Sequence, residues 1–305
     1  MTARAGDAIS LAGANAVEVH ASAKVNLRLR VLAQEAGGYH QLETIFLRLA
    51  LGDTVRVRRS RSRSLDINGD GDGNALGPVE RNLAWRAALA YTGAAGTNDG
   101  WTIELEKRIP VGGGLGGGSA DAGAVLRALD AMSARPLGEA RLLAIAGTLG
   151  ADVPFLASTC ACALAWGRGE RMLALAPPPA RDVMLLVPPF GVNTATAYGW
   201  LAERSAAQAD TSIMLRAESL TGWDALASVA TNDFEPVVVA RHPEVSAMVA
   251  ALRAAGCRPA MMSGSGSVVF GVLPEGTSHV LDVDVPCTVL TTRSATRVEP
   301  VSALH

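Results

Sequence analysis

The sequence predicts a chain of mixed α and β structure organised around one strand, one glycine loop and one helix. Three observations carry this. Trp101 to Ile109 alternates, with Trp101, Ile103 and Leu105 apolar against Thr102, Glu104 and Glu106, the pattern of a strand with one buried face. Six of the nine residues from Pro110 to Gly118 are glycine, a density no packed element tolerates, because each glycine gives up backbone entropy and brings no side chain. Ser119 to Met132 then sets Val125, Leu126, Leu129 and Met132 on one helical face. Bare N–H groups at a helix start, with no Cβ to hold a ligand off, form an anion site. A phosphate cradle is therefore favoured over a flexible surface turn, since the glycines sit between two well-marked elements.

The bulk numbers bound the rest. At 305 residues there is room for two domains and a large core. Apolar residues make up 49% and no apolar run is long, which predicts a globular protein with an aliphatic core and no membrane partner. A net charge of -2 offers no basic surface to nucleic acid. Cys160, Cys162, Cys257 and Cys287 form no Cys-x-x-Cys pair and have no histidine at ligand spacing, so no metal site is expected and a reducing cytoplasm is. Residues 1–16 read as a loose extension and not as a signal peptide. Only Lys24 and Lys107 are lysines among 27 basic residues, so a position that keeps lysine calls for a compact ammonium in place of a planar fork.

In chain order, Val17 to Val31 alternates as a strand and puts Lys24 and Asn26 on one face. Taken alone, Lys24 reads as an ordinary exposed strand lysine. Gly37-Gly38-Tyr39-His40 is a turn into a second strand, and Asp53 to Arg59 is a further one. Residues 60–80 read as a variable loop; Asp66-Ile67-Asn68-Gly69 opens like a calcium loop, but Gly77 stands where its glutamate belongs. Asn82 caps a helix running to about Tyr91. Leu137 to Leu149 is a helix ended by Gly150. Pro154 disfavours helix at Val153 and leaves Asp152 in a loop or strand start, where an Asx-turn or cap is the bland role for a lone aspartate. Asp182 to Pro188 is a buried strand, and Asn232 reads as a cap beside a buried Phe234. Val245, Met248, Val249 and Leu252 form a helical stripe, and Ser263-Gly264-Ser265-Gly266 is a second loop of small residues.

The glycine loop narrows the choice. A Walker A loop ends in Gly-Lys-Ser/Thr, and here Gly118 is followed by Ser119. Gly112-x-Gly114-x-x-Gly117 fits the dinucleotide fingerprint only as any glycine run does, and the alternating strand before it disfavours a dehydrogenase. The run Pro110-x-x-x-Gly114-Leu115-x-Gly117-Gly118-Ser119 instead resembles the ATP loop of the GHMP kinases. Ser22 to Leu27 and Ser263 to Ser267 resemble that family's first and third motifs, and Gly150-Ala151-Asp152-Val153-Pro154 its catalytic-base motif. Tyr39-His40 is similar to the segment found in the branch that acts on 4-diphosphocytidyl-2-C-methyl-D-erythritol. The resemblance spans roughly Val17 to Thr292, and departs at Ser119-Ala120-Asp121, where Ser-Ser-Asn is more usual.

What the resemblance implies is an α+β, two-domain GHMP kinase fold. Residues 1–163 would be the α/β nucleotide-binding domain and 164–305 a ferredoxin-like α+β sandwich, with the active site between them. ATP, with Mg2+, would lie against Asn82, Pro110, Gly112, Gly113, Gly114, Leu115, Gly116, Gly117, Gly118, Ser119 and Ala120. Lys24 and Asp152 would be catalytic, the aspartate accepting the 2-hydroxyl proton. Asn26, Tyr39, His40, Thr194, Ser263, Gly264, Ser265 and Gly266 would hold the acceptor, with Tyr198 stacked on its cytosine and Phe190 the less favoured alternative. A monomer or weak homodimer in the cytoplasm is expected. Homoserine- or mevalonate-type kinases are the rival, as is a nucleotide sensor, which would have lost Lys24 or Asp152.

Overall fold

In a computed structural model of the chain, the residues described are 11–34, 40–69, 78–204, 215–277, 281 and 283–304. The first layer is a mixed sheet. Its spine is a long antiparallel pair, β1 (Ala16–Gln34) and β2 (His40–Ser60). The end of β2 pairs with β4 (Gly100–Lys107), which runs parallel to β3 (Arg63–Gly69). The start of β2 pairs with β5 (Cys162–Gly167), and β5 with β6 (Arg171–Leu175). Helices α1 (Leu83–Ala95), α2 (Gly117–Met132), α3 (Glu139–Leu149) and α4 (Val153–Ala157) complete this unit. The alternation in β4 holds: Trp101, Ile103 and Leu105 face inward, and the next inward position is Lys107. The α2 helix is buried on most sides by small residues, Ala120, Ala122, Ala124 and Ala128 among them, more widely than its one-faced apolar stripe suggested.

The second layer is a four-stranded antiparallel sheet in the order β11 (Thr288–Arg293), β7 (Asp182–Val187), β10 (Val269–Val272), β9 (Ala260–Met262). Taken by chain position that is the 4-1-3-2 order of a ferredoxin-like sandwich. Helices α5 (Thr194–Arg204), α6 (Trp223–Ser228), α7 (Glu235–Val239) and α8 (Glu244–Ala254) belong to this half of the chain, and the α8 stripe of Val245, Met248, Val249 and Leu252 is buried as its periodicity predicted. Two short strands tie the halves together: β8 (Thr231–Asn232) lies parallel to β1 and β12 (Ser302–Ala303) antiparallel to it. Arg28 and Arg30 reinforce the tie, bonding Val229 O at 3.0 Å and Asp233 at 3.1 Å.

Four expectations need correcting. The boundary expected near Ala163 falls inside β5, whose backbone completes the first sheet on β2, so the chain leaves that sheet only after Leu175. Residues 63–69 are a strand and not loop, paired in parallel with β4; 70–77 lie outside the described residues. Within the expected N-terminal extension, residues 1–10 lie outside the described set, but Leu11 packs on the core, Gly13 N–H donates to Met132 O and Ala16 begins β1. Pro154 sits in the first turn of α4 instead of excluding a helix, because a first-turn residue has no intrahelical N–H bond to lose.

Candidate active site

The glycine loop emerges from β4 and enters α2. Gly114 has φ of 79° and a Cβ there would lie 2.2 Å from Ser263 O, so both conformation and contact demand glycine. Gly116, with φ of 76°, would press a Cβ to 3.1 Å from the Lys24 stem. The loop's carbonyls are engaged: Gly113 O accepts from Val268 N, Leu115 O from Lys24 N and Gly116 O from Ala120 N. Among the described residues, no backbone N–H from Gly112 to Ser119 donates a bond within the protein. The loop therefore presents donors and withdraws acceptors, at the positive end of α2. Beneath it a cavity of about 210 Å³ is lined by Asn82, Lys107, Pro110 and the loop itself. Asn82 is the cap of α1, accepting from Ala84 N at 2.9 Å. Ala120, expected at the nucleotide, is 1% exposed with its N–H bonded to Gly116 O and lines neither of the two cavities.

On the other side of the loop a cavity of about 400 Å³ reaches from Lys24 and Asp152 to Tyr198. Lys24 is buried, not an exposed strand residue, and its Nζ meets Asn26 Oδ1 at 2.7 Å, Gly114 O at 2.9 Å and Asp152 Oδ2 at 3.2 Å. The pairing of β1 with β2 slips between Ser22 and Lys24, a bulge of the kind that re-aims a side chain beside a site. Asp152 starts α4, yet its side chain makes no capping bond, which removes the bland role. Behind it, buried Arg48 bonds the carbonyls of Phe155, Ser158 and Cys160 and so fixes the far end of the same short helix.

The far end of this cavity is aromatic. Tyr198, on α5, stacks on His40 with ring centroids 4.5 Å apart and meets Phe234 edge-on at 4.9 Å. Burial, with Asp152 nearby, pushes the Tyr198 phenol up to about 12. Phe190 stacks instead on His242. Tyr39 lies outside the described residues. Thr194 bonds Ser265 at 3.0 Å, and Gly264 and Gly266 line the cavity, while Ser263 is buried and donates to Gly114 O, locking the two loops together. One contributor escaped the sequence reading. Asn232 does accept from Phe234 N as a cap would, but its amide also donates to Met262 O and Gly264 O at 2.8 Å each, holding the second loop in place. Only the Asn-Asp-Phe-Glu run hinted at it.

Comparison with known proteins gives the chain its relatives. The family models described as the GHMP kinases N-terminal and C-terminal domains match residues 82–161 and 215–279. The 4-diphosphocytidyl-2-C-methyl-D-erythritol kinase of Pelotomaculum thermopropionicum is 40% identical over 258 residues, 84% of this chain and 88% of that protein. The chain belongs to the 4-diphosphocytidyl-2-C-methyl-D-erythritol kinase family of the GHMP kinases. A crystal structure from the same kinase family superposes with a TM-score of 0.69 at 34% identity, covering 91% of this chain and 98% of that one. Homoserine kinase from Cytophaga hutchinsonii shares the fold, with a TM-score of 0.65 over the whole of both chains, at 17% identity. Ser119, Ala120 and Asp121 lie at the start of α2, where Ala120 and Asp121 are buried.

Proposed function

We propose that this chain transfers the γ-phosphoryl group of ATP to the 2-hydroxyl of 4-diphosphocytidyl-2-C-methyl-D-erythritol, a step of the non-mevalonate route to isoprenoid precursors. The observation that carries the reading is the Lys24–Asp152 pair, 3.2 Å apart where the glycine loop meets the larger cavity. Phosphoryl transfer is mostly positioning and charge stabilisation. Asp152 takes the proton of the attacking hydroxyl, while Lys24 orients that carboxylate and faces the charge on the transferred group. The N–H groups from Gly112 to Ser119 hold the phosphates, with Asn82 and Pro110 beside the cavity beneath. Asn26, Thr194 and the Ser263 to Gly266 loop hold the acceptor, and His40, Tyr198 and Tyr39 its cytosine end by stacking.

Among the described residues no group of three or more histidine, cysteine, aspartate or glutamate side chains gathers to hold a metal. The magnesium ion in this reading would be carried on the substrate phosphates, keeping most of its waters and neutralising their charge. The reading includes a cytoplasmic monomer or weak homodimer with no nucleic-acid or membrane partner; it accords with four free cysteines. Among the described residues no helix is long and apolar enough to cross a membrane. The deciding experiment is a phosphorylation assay with the diphosphocytidyl acceptor, mevalonate and homoserine in parallel. Turnover with the first alone is expected, and comparable turnover of all three would overturn the acceptor assignment.

A further inference from the structure

Under the glycine loop lies a buried charge cluster that the proposed chemistry does not use. Asp53 of β2, Lys107 of β4 and Asp121 of α2 are 0%, 6% and 3% exposed. Lys107 Nζ bonds Asp53 Oδ2 and Asp121 Oδ2 together. The other Asp53 oxygen accepts the N–H groups of Arg108 at 2.6 Å and Ile109 at 2.8 Å, the two residues that enter the loop. Asp121 lies one turn past the loop's exit, and its Oδ1 is buried without a partner. A Cβ on Gly117 would lie 3.7 Å from Lys107 Nζ, which places the ammonium directly under the first turn of α2.

We propose that Asp53, Lys107 and Asp121 are positioning residues for the nucleotide: one buried clamp that fixes both stems of the glycine loop and thereby sets its affinity for ATP. Both stems must be held because the loop's glycines cannot hold themselves; they have no side chains to pack and wide backbone freedom. The clamp borders the cavity beneath the loop, which Lys107 and Asp121 both line, and it uses none of the N–H groups from Gly112 to Ser119. Its charge also matters. Two carboxylates sharing one ammonium would leave a net negative charge buried close to the phosphates, where the helix end should be positive. Burial, reinforced by the charge of Asp53 and opposed by Lys107, pushes the Asp121 carboxyl up to about 7. Lys107 from β4 and Asp53 from β2 are the charged groups acting on it. The clamp is therefore close to neutral in its protonated form and gains a negative charge as pH rises.

This inference rests on the loop being the ATP site, and the test separates the two. ATP affinity is measured by calorimetry without any acceptor, on wild type, Asp53→Asn and Asp121→Asn, each checked for a native circular dichroism spectrum. Absence of ATP binding to the wild type would sink the nucleotide assignment itself. With wild type binding, Asp53→Asn, which turns an amide NH2 toward Lys107, is expected to weaken ATP by about tenfold or more. Between pH 6 and 8.5 the wild type should lose roughly threefold to tenfold more affinity than Asp121→Asn, the effect of one nearby buried charge. Unchanged affinity in a folded Asp53→Asn, or identical pH profiles for wild type and Asp121→Asn, overturns the proposal. If Asp53→Asn does not fold, the pH comparison decides alone.

Discussion

The chain's two lysines flank one loop and do opposite things. At the mouth of the cleft Lys24 faces Asp152, whose side chain is 30% exposed, and fills its other bonds with neutral groups, Asn26 and Gly114 O. Beneath the loop Lys107 faces two carboxylates that are 0% and 4% exposed. Both are ammonium–carboxylate contacts of a buried lysine, so pairing alone does not mark a reactive group. Access does. A carboxylate that solvent reaches can meet a hydroxyl, whereas one sealed in the core can only hold backbone and other charges. The difference also explains why the chain keeps lysine at both positions among so many arginines: each ammonium bonds three partners or bridges two carboxylates in a space a planar fork would overfill.

The largest expected effect tests the open pair. Asp152→Asn should leave both substrates bound and lower kcat by about 10²–10⁴, the worth of a general base. Lys24→Arg should fail comparably, and the double variant should be little worse than the worse single, since groups acting together are not additive. A fully active Asp152→Asn enzyme would erase the distinction between the two lysine sites. Next comes Gly116→Val, which strains a φ of 76° and pushes against the Lys24 stem. ATP binding should be abolished in the folded variant, and an unchanged dissociation constant would remove the loop from the nucleotide site.

Tyr198→Ala comes third. Base–aromatic stacking is worth about 1–3 kcal/mol, so KM for the diphosphocytidyl acceptor should rise by roughly one to two decades while KM for ATP stays. An equal rise in both would make Tyr198 a packing residue. The sealed site gives a stability effect with a definite sign. The Asp121 carboxyl lies near 7 in the fold against 3.8 as a free group, so it contributes stability that is full below about 4 and is lost as pH rises through about 7. The melting temperature should fall over that window in the wild type and fall less in Asp121→Asn. Parallel curves would show that Asp121 does not titrate there.

Much of this was legible in the sequence because it is local. Alternation marked β4, a glycine run marked the loop, and Gly150 to Pro154 marked Asp152 within five residues. What escaped depends on distant partners. The β3 strand is short, carries only Leu65 and Ile67 as apolar residues, and exists because β4, more than thirty residues on, offers a parallel edge. The apolar run at Cys162 to Trp166 reads the same whichever sheet it joins, so the boundary was set too early. Asn232 looked like a cap because half of it is one; its other half bonds a loop thirty residues away. Asp53 carried no signal, and Asp121 only its place in the Ser119-Ala120-Asp121 departure, each being one carboxylate in an ordinary strand or helix until the fold brings Lys107 between them.

The burial of both lysines reaches beyond catalysis into what can be done to the protein from outside. With Lys24 and Lys107 at 2% and 6% exposure, the folded surface displays its positive charge through arginine alone. Reagents and enzymes that act on lysine side chains, whether acylating agents, bifunctional cross-linkers, immobilisation resins or a lysine-specific protease, find their targets only inside the cleft. Lysine labelling of this chain is thus a footprint of the open pair at Lys24, and protection by a bound nucleotide can be followed there without interference from any surface lysine.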